Sequence, residues 1–222
     1  MGSPLAKIVG VIQVKGGVGR STIATNLAAI LSQDQPTAII DCDMPQGTSA
    51  SWFALRQSEV PTDNLVLATA NNHMELIQRA KECARNCRYL IIDGPPRLAE
   101  MTRAIMILSD LSLIPLGASA AEIWSTSDLL QTLAEARSYK TTIDARIVWT
   151  RFRGQTREAQ DLKSAVHHEL KLKELRSRLG YRVSYSEALA RGLSVDEWLD
   201  RFAHAEVRAL AEEVVGILRE KK

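Results

Sequence analysis

The chain has 222 residues, 45% of them hydrophobic and 24% charged, with a formal net charge of +2. Those proportions suit one α/β domain with a sizeable core and exclude a polycation or a disordered chain. No apolar run approaches a membrane span, no signal peptide is visible at Met1–Gly10, and Cys42, Cys83 and Cys87 make no disulfide framework or paired metal motif, so a cytoplasmic protein is expected. In chain order, Ile8–Gln13 reads as a buried strand, followed by a helix over Ser21–Ser32 with Ile23, Leu27, Ile30 and Leu31 on its apolar face. Further strands are expected at Thr37–Asp41, Leu65–Thr69, Tyr89–Asp93, Leu111–Leu116 and Ala145–Thr150, with helices over Met74–Ala84 and Ile123–Tyr139 between them. Wholly apolar strands separated by helices predict a mostly parallel, twisted sheet covered on both faces. After Thr150 the sequence reads as charged and helical to about Leu179, then as a short β-like piece at Tyr181–Tyr185 and a final helix from about His204 to Arg219. Neither a linker nor a repeat divides the chain, so 1–222 is read as a single domain.

Three segments carry chemistry. The first is Val14-Lys15-Gly16-Gly17-Val18-Gly19-Arg20-Ser21-Thr22, between a strand and a helix start. Glycines let successive amides curl around an anion, and the helix N-terminus adds its positive dipole end. Ser21 offers a hydroxyl suited to Mg²⁺. A glycine-rich turn without a ligand is the plainer alternative, but strand, glycines, cation, hydroxyl and helix stand here in the order a phosphate cradle needs. The second segment is Ile39-Ile40-Asp41-Cys42-Asp43-Met44-Pro45-Gln46-Gly47, which puts two carboxylates at a strand end, where open α/β sheets bind ligands. Read alone, it is equally a capped turn leading into a helix from Gly47. The third is Leu90-Ile91-Ile92-Asp93-Gly94-Pro95-Pro96, an apolar strand ending in an aspartate that can hold a Mg²⁺-bound water.

Together these segments resemble the deviant Walker A ATPases of the ParA/MinD family, whose loop reads KGGxGK[ST]. The short chain suits the small plasmid-partition ATPases of the ParF type. The resemblance implies a P-loop fold that binds ATP and Mg²⁺ at Gly16, Gly17, Val18, Gly19, Arg20, Ser21 and Thr22. It implies that Lys15 reaches across an ATP-bound homodimer to the partner's nucleotide. It assigns placement or activation of the attacking water to Asp43, the Mg²⁺ shell to Ser21, Asp41 and Asp93, and proximity to adenine to Thr150 and Arg151. Ser112–Ser119 with Glu122, and Ser186-Glu187-Ala188 with Gly192, Ser194 and Val195, extend the likeness. Two positions depart from the pattern: Arg20 stands where the family has its second lysine, and Met44 is an extra residue in the DxDPQ motif. Arginine keeps the charge and could grip phosphate oxygens bidentately, but it is larger and planar, so binding is expected to survive better than hydrolysis.

The implied function is an ATP-driven switch that positions DNA or another large cargo, hydrolyses slowly, and answers to a ParB-like or adaptor partner. A non-hydrolysing nucleotide sensor is the alternative that Arg20 raises. A cluster-bearing reductase on the same scaffold would need cysteines after the later strands, where this chain has none. Nine Lys/Arg against four acids in residues 151–182 offer a surface for non-specific DNA at Arg153, Arg157, Lys163, Lys171, Lys173, Arg176, Arg178 and Arg182, or simply a solvated helix face. The terminal helix carries Glu206, Glu212, Glu213 and Glu220 and lacks aromatic anchors, so it is expected to pack on the sheet rather than on a membrane. Trp124, Trp149 and Trp198 read as core or interface filler.

Overall fold

The computed structural model describes residues 6–97, 99–117, 126–152 and 170–221. The expectations for Ala118, Ser119, Glu122, Trp124, Arg153, Arg157 and Lys163 lie outside these. Seven parallel strands form one sheet: β1 (Lys7–Val11), β2 (Thr37–Asp41), β3 (Leu65–Thr69), β4 (Tyr89–Asp93), β5 (Leu111–Gly117), β6 (Ala145–Phe152) and β7 (Lys173–Gly180), in the spatial order β3-β2-β4-β1-β5-β6-β7. Among the described residues the helices are α1 (Arg20–Ser32), α2 (Thr48–Glu59), α3 (His73–Cys83), α4 (Ala99–Leu108), α5 (Ser127–Tyr139), α6 (Ser184–Leu189) and α7 (Arg201–Glu220).

The strands bury both faces because successive side chains point to opposite sides. Val9, Val11, Ile39, Ile91 and Leu113 join α1 and α7 in one apolar cluster. Ile40, Ile92, Ile114 and Ile147 join α3, α4 and α5 in the other. Helix α7 contributes Val207, Leu210, Val214, Ile217 and Leu218 to the first cluster, which is where its apolar stripe was expected to go. Asp200 caps it, accepting from the backbone N–H of Phe202 and Ala203. No described helix is long and apolar enough to cross a membrane.

Gly10 lies in the middle of β1 where α4 closes on the sheet. A Cβ there would press on Ile105 Cγ2 and lie 2.6 Å from Ser109 Oγ. Gly10→Ala is therefore expected to destabilise the fold by about 1–3 kcal/mol, the usual cost of overpacking. Urea unfolding measures this, and an unchanged midpoint would show that α4 yields.

Two sequence expectations are corrected. The charged stretch up to Leu179 was expected to be helical, but both of its described ends are strands: β6 runs on to Phe152, and Lys173–Gly180 forms the edge strand β7 paired with β6. Its alternation is that of a strand, with Leu175 and Leu179 buried and Arg176 and Arg178 exposed. Charged side chains on an edge strand also guard it against pairing with other chains. The β-like piece expected at Tyr181–Tyr185 instead leads into α6 from Ser184. Helix α4 was not anticipated; its 10 residues are too few to make a helical periodicity plain.

Candidate functional site

The parallel registers bring the carboxyl ends of β1, β2 and β4 to one level: Asp41 stands opposite Asp93, and Asp93 opposite Val11. The loop after β1 therefore opens directly beside both aspartates. In that loop Gly17 has φ +72° and Gly19 φ +96°, left-handed values that favour glycine. Gly19 is the N-cap of α1, and no side chain caps the helix there. Thr150 at the end of β6 buttresses the loop, its hydroxyl donating to the Val18 carbonyl at 2.9 Å. Val18 is buried beneath.

A cavity of about 450 Å³ opens over this loop. Gly17, Gly19, Arg20, Ser21, Thr22, Asp43, Thr150 and Arg151 line it, as does Ser186, whose segment the resemblance placed near the nucleotide, together with Thr48, Tyr181, Arg182, Val183, Tyr185 and Leu189, which sequence reasoning did not assign to the site. Lys15, Gly16, Val18, Asp41 and Asp93 stand outside this lining. Glu206 on α7 organises the far wall. It accepts from the Gly180 N–H at 2.9 Å, from Arg182 Nη2 at 2.8 Å and from the Tyr185 hydroxyl at 2.8 Å. The Arg182 guanidinium also lies over Phe202. Arg182 is thus committed to the wall, whereas the Arg176 side chain is 98% exposed.

Arg20 occupies an unexpected place. Its side chain is 6% exposed and turns inward. Nε donates to the Gly94 carbonyl at 2.8 Å, Nη1 to the carbonyls of Gln13 at 2.9 Å and Lys15 at 2.5 Å, and Nη2 faces Asp43 Oδ2 at 3.4 Å. One guanidinium therefore ties together the turns after β1, β2 and β4. Four acceptors around five N–H groups leave no free fork of the kind a bidentate phosphate grip uses.

The two buried aspartates do different things. Asp41 accepts backbone N–H groups, Oδ1 from Asp43 and Oδ2 from Ala50, both at 2.9 Å, and so fastens the start of α2 to β2. Asp93 accepts the Ser49 hydroxyl at 2.7 Å on Oδ2, while its buried Oδ1 has no hydrogen-bond partner. The Asp93 carboxyl is pushed up to about 7: burial is the largest cause, the Ser49 hydroxyl opposes it, the Asp41 charge adds to it, and the Ser21 hydroxyl and Arg20 lower it. A buried, unpartnered carboxylate oxygen beside a serine hydroxyl is a hard-oxygen donor set that fits Mg²⁺, and a cation there would favour the ionised form. Cys42, between the aspartates, is buried, and burial pushes its thiol far above the ordinary range.

A parallel sheet with a glycine-rich loop between its central strand and an uncapped helix, facing two aspartates on neighbouring strands, defines a P-loop nucleotide-binding fold. The family model described as the CobQ/CobB/MinD/ParA nucleotide binding domain matches residues 9–195, and the chain belongs to that family. It is 27% identical over 221 residues to maintenance of carboxysome distribution protein A of Halothiobacillus neapolitanus, covering 99% of this chain and 98% of that one. It is 27% identical over 240 residues to the chromosome-partitioning ATPase Soj of Thermus thermophilus, covering 93% and 94%. An ATP complex of McdA from Cyanothece has the same fold, with a TM-score of 0.78 at 19% identity over 95% of this chain and 96% of that one.

Proposed function

We propose that this protein is an ATP-dependent dimeric switch that positions DNA or another large cargo. The observation that carries the reading is the loop at residues 16–22, with two glycines at positive φ and an uncapped α1, set across from the unpartnered oxygen of Asp93. Amides of Gly16, Gly17, Val18, Gly19, Arg20, Ser21 and Thr22 hold the phosphates of ATP, and Thr150 and Arg151 border the base. Ser21 and Asp93 hold Mg²⁺, and Asp41 steadies that shell by holding α2. Mg²⁺ supplies neutralisation of phosphate charge. Asp43 orients the attacking water. Lys15 reaches the nucleotide held by a second copy, so ATP joins two protomers and hydrolysis parts them.

The dimer retains non-specific DNA through exposed basic residues, among them Lys171, Lys173, Arg176 and Arg178, and the protein is nucleoid-associated. A ParB-like or adaptor protein stimulates a slow basal turnover. Relatives named as carboxysome-distribution and chromosome-partitioning proteins support a positioning role. A second reading, a nucleotide sensor that does not hydrolyse ATP, is favoured by the engagement of Arg20 with loop carbonyls and Asp43.

The test is light scattering and DNA retention with ATP and with ADP, for the parent and Lys15→Ala. The parent is expected to dimerise and hold DNA only with ATP, and Lys15→Ala to bind ATP but stay monomeric. DNA retention is expected to fall with salt, by roughly 10³-fold or more between 50 and 200 mM if about six phosphates are contacted. Equal dimerisation by Lys15→Ala would overturn the switch. Phosphate release measured beside ATP binding, with Arg20→Lys as the control, separates the two readings: turnover by the lysine form alone selects the sensor.

A further inference from the structure

The Asp93 carboxylate is held at one end and bare at the other, and the group that holds it was not among the residues singled out from the sequence. Ser49 is fully buried in the first turn of α2, 44 residues before Asp93 in the chain. Its hydroxyl donates to Asp93 Oδ2 at 2.7 Å. Oδ1 of the same carboxylate is buried and has no hydrogen-bond partner. The next residue, Ala50, gives its backbone N–H to Asp41 Oδ2 at 2.9 Å, so the turn bearing Ser49 is itself fixed to β2.

We infer that Ser49 is a positioning residue for the cation site: it locks the Asp93 carboxylate so that Oδ1 stays presented toward the Ser21 side of the phosphate loop. This rests on the reading of Asp93 and Ser21 as the Mg²⁺ site. The terminal torsion of an aspartate is broad and roughly two-fold, so an untethered carboxylate turns easily. A single donor on Oδ2 removes that freedom without occupying the oxygen that faces the cation. Partners that orient a ligating carboxylate but do not touch the metal are commonly worth 10–100-fold in metal affinity. The arrangement also joins the site to α2. The turn that holds Asp93 belongs to the helix that also carries Trp52 and Arg56, bonded to the Leu193 carbonyl and to Glu197.

The experiment is a Mg²⁺ titration of fluorescent ATP-analogue binding for the parent, Ser49→Ala, Ser49→Cys and Asp93→Asn, with a parallel set in EDTA. Ser49→Ala is expected to need roughly 10–100-fold more Mg²⁺ for half-maximal enhancement of binding, with affinity in EDTA unchanged. Ser49→Cys keeps the shape but has only a weak donor, so it should fall between; it carries the test if the alanine form does not fold. A Mg²⁺ requirement equal to the parent's in the serine variants, while Asp93→Asn raises it, overturns the role of Ser49 alone. A parent that binds equally with and without Mg²⁺, or an Asp93→Asn form indistinguishable from it, overturns the cation site and this inference with it. A loss of affinity in EDTA equal to that in Mg²⁺ overturns the positioning role in favour of a structural one.

Discussion

Arg20→Met is expected to cost roughly 3–5 kcal/mol of folding free energy, because it withdraws one cation from a buried set of acceptors that remain in place. Methionine fills much of the volume but brings no donor. The carbonyls of Gln13, Lys15 and Gly94 would lose their guanidinium partner, and each buried acceptor left without one costs about 1–3 kcal/mol. The 3.4 Å contact with Asp43 adds less, since it is long and Asp43 is partly exposed. Arg20→Lys keeps the charge but has three donors on a flexible stem, and it cannot reproduce a planar fork spanning the three turns. Its loss should be intermediate, about 1–3 kcal/mol on the same accounting. Urea unfolding in the absence of nucleotide measures both. A methionine form as stable as the parent would show that the inward guanidinium is not what holds the loop together. The same experiment bears on why the chain tolerates arginine here: a side chain that braces the strand ends can be kept for the fold while phosphate is held by amides and by other charges.

That dual character of Arg20 marks where the sequence stopped being legible. The loop itself could be read, because glycines, a hydroxyl and a helix start are local features in a fixed order. Asp41 and Asp93 could be read too, since each closes a run of apolar residues that only a buried strand explains. The direction of the Arg20 side chain could not, because its acceptors include Gly94, 74 residues away, brought beside it by the pairing of β1 with β4. Ser49 was hidden for the same reason. The far wall was missed because β7 was taken for helix. Its Leu175 and Leu179 alternate as a strand, but the dense charge of Lys173-Glu174-Leu175-Arg176-Ser177-Arg178 imitates a solvated helix face. Glu206 then gathers Gly180, Arg182 and Tyr185 from that strand end, and no local pattern announces a carboxylate that acts across 21 to 26 residues. The basic candidates separate accordingly: Arg182 belongs to the wall, Arg178 lies over Phe152, and Arg176 stands out from the edge.

Arg56→Met is expected to have an effect of similar size at neutral pH, and a smaller one in acid. The Arg56 side chain is 3% exposed and meets both oxygens of Glu197 at 2.8 Å. Its Nη1 also donates to the Gly192 carbonyl at 3.2 Å, and its guanidinium lies over Trp52. Burial alone would push the Glu197 carboxyl up, but Arg56 and the Ser194 N–H hold it below its ordinary 4.5. A carboxylate whose folded pKa is depressed contributes stability that is fully present above its unfolded value and is lost as pH falls through the folded one. Removing the guanidinium at pH 7 leaves a charged Glu197 half-buried without its cation, at a cost of roughly 3–5 kcal/mol. At this chain length each kcal/mol moves the melting temperature by roughly 2–4 °C. Below about pH 4 the orphaned carboxyl can take a proton, so the gap between variant and parent should narrow. Melting curves at several pH values test this, and a gap that stays constant or widens in acid would show that packing against Trp52, not the ion pair, dominates. The position matters to the site because the segment at residues 192–198 is pinned on two sides. Leu193 accepts from Trp52 Nε1 at 3.0 Å, and Val195 donates to Asn26 Oδ1 at 2.9 Å. Glu197 is therefore a further tie holding that segment against α1, which begins at the phosphate loop, and α2, which begins beside Asp41. If that tie transmits strain, Arg56→Met should also loosen α6, and with it the Ser186 and Leu189 side of the cavity, detected as faster amide exchange there than in α3.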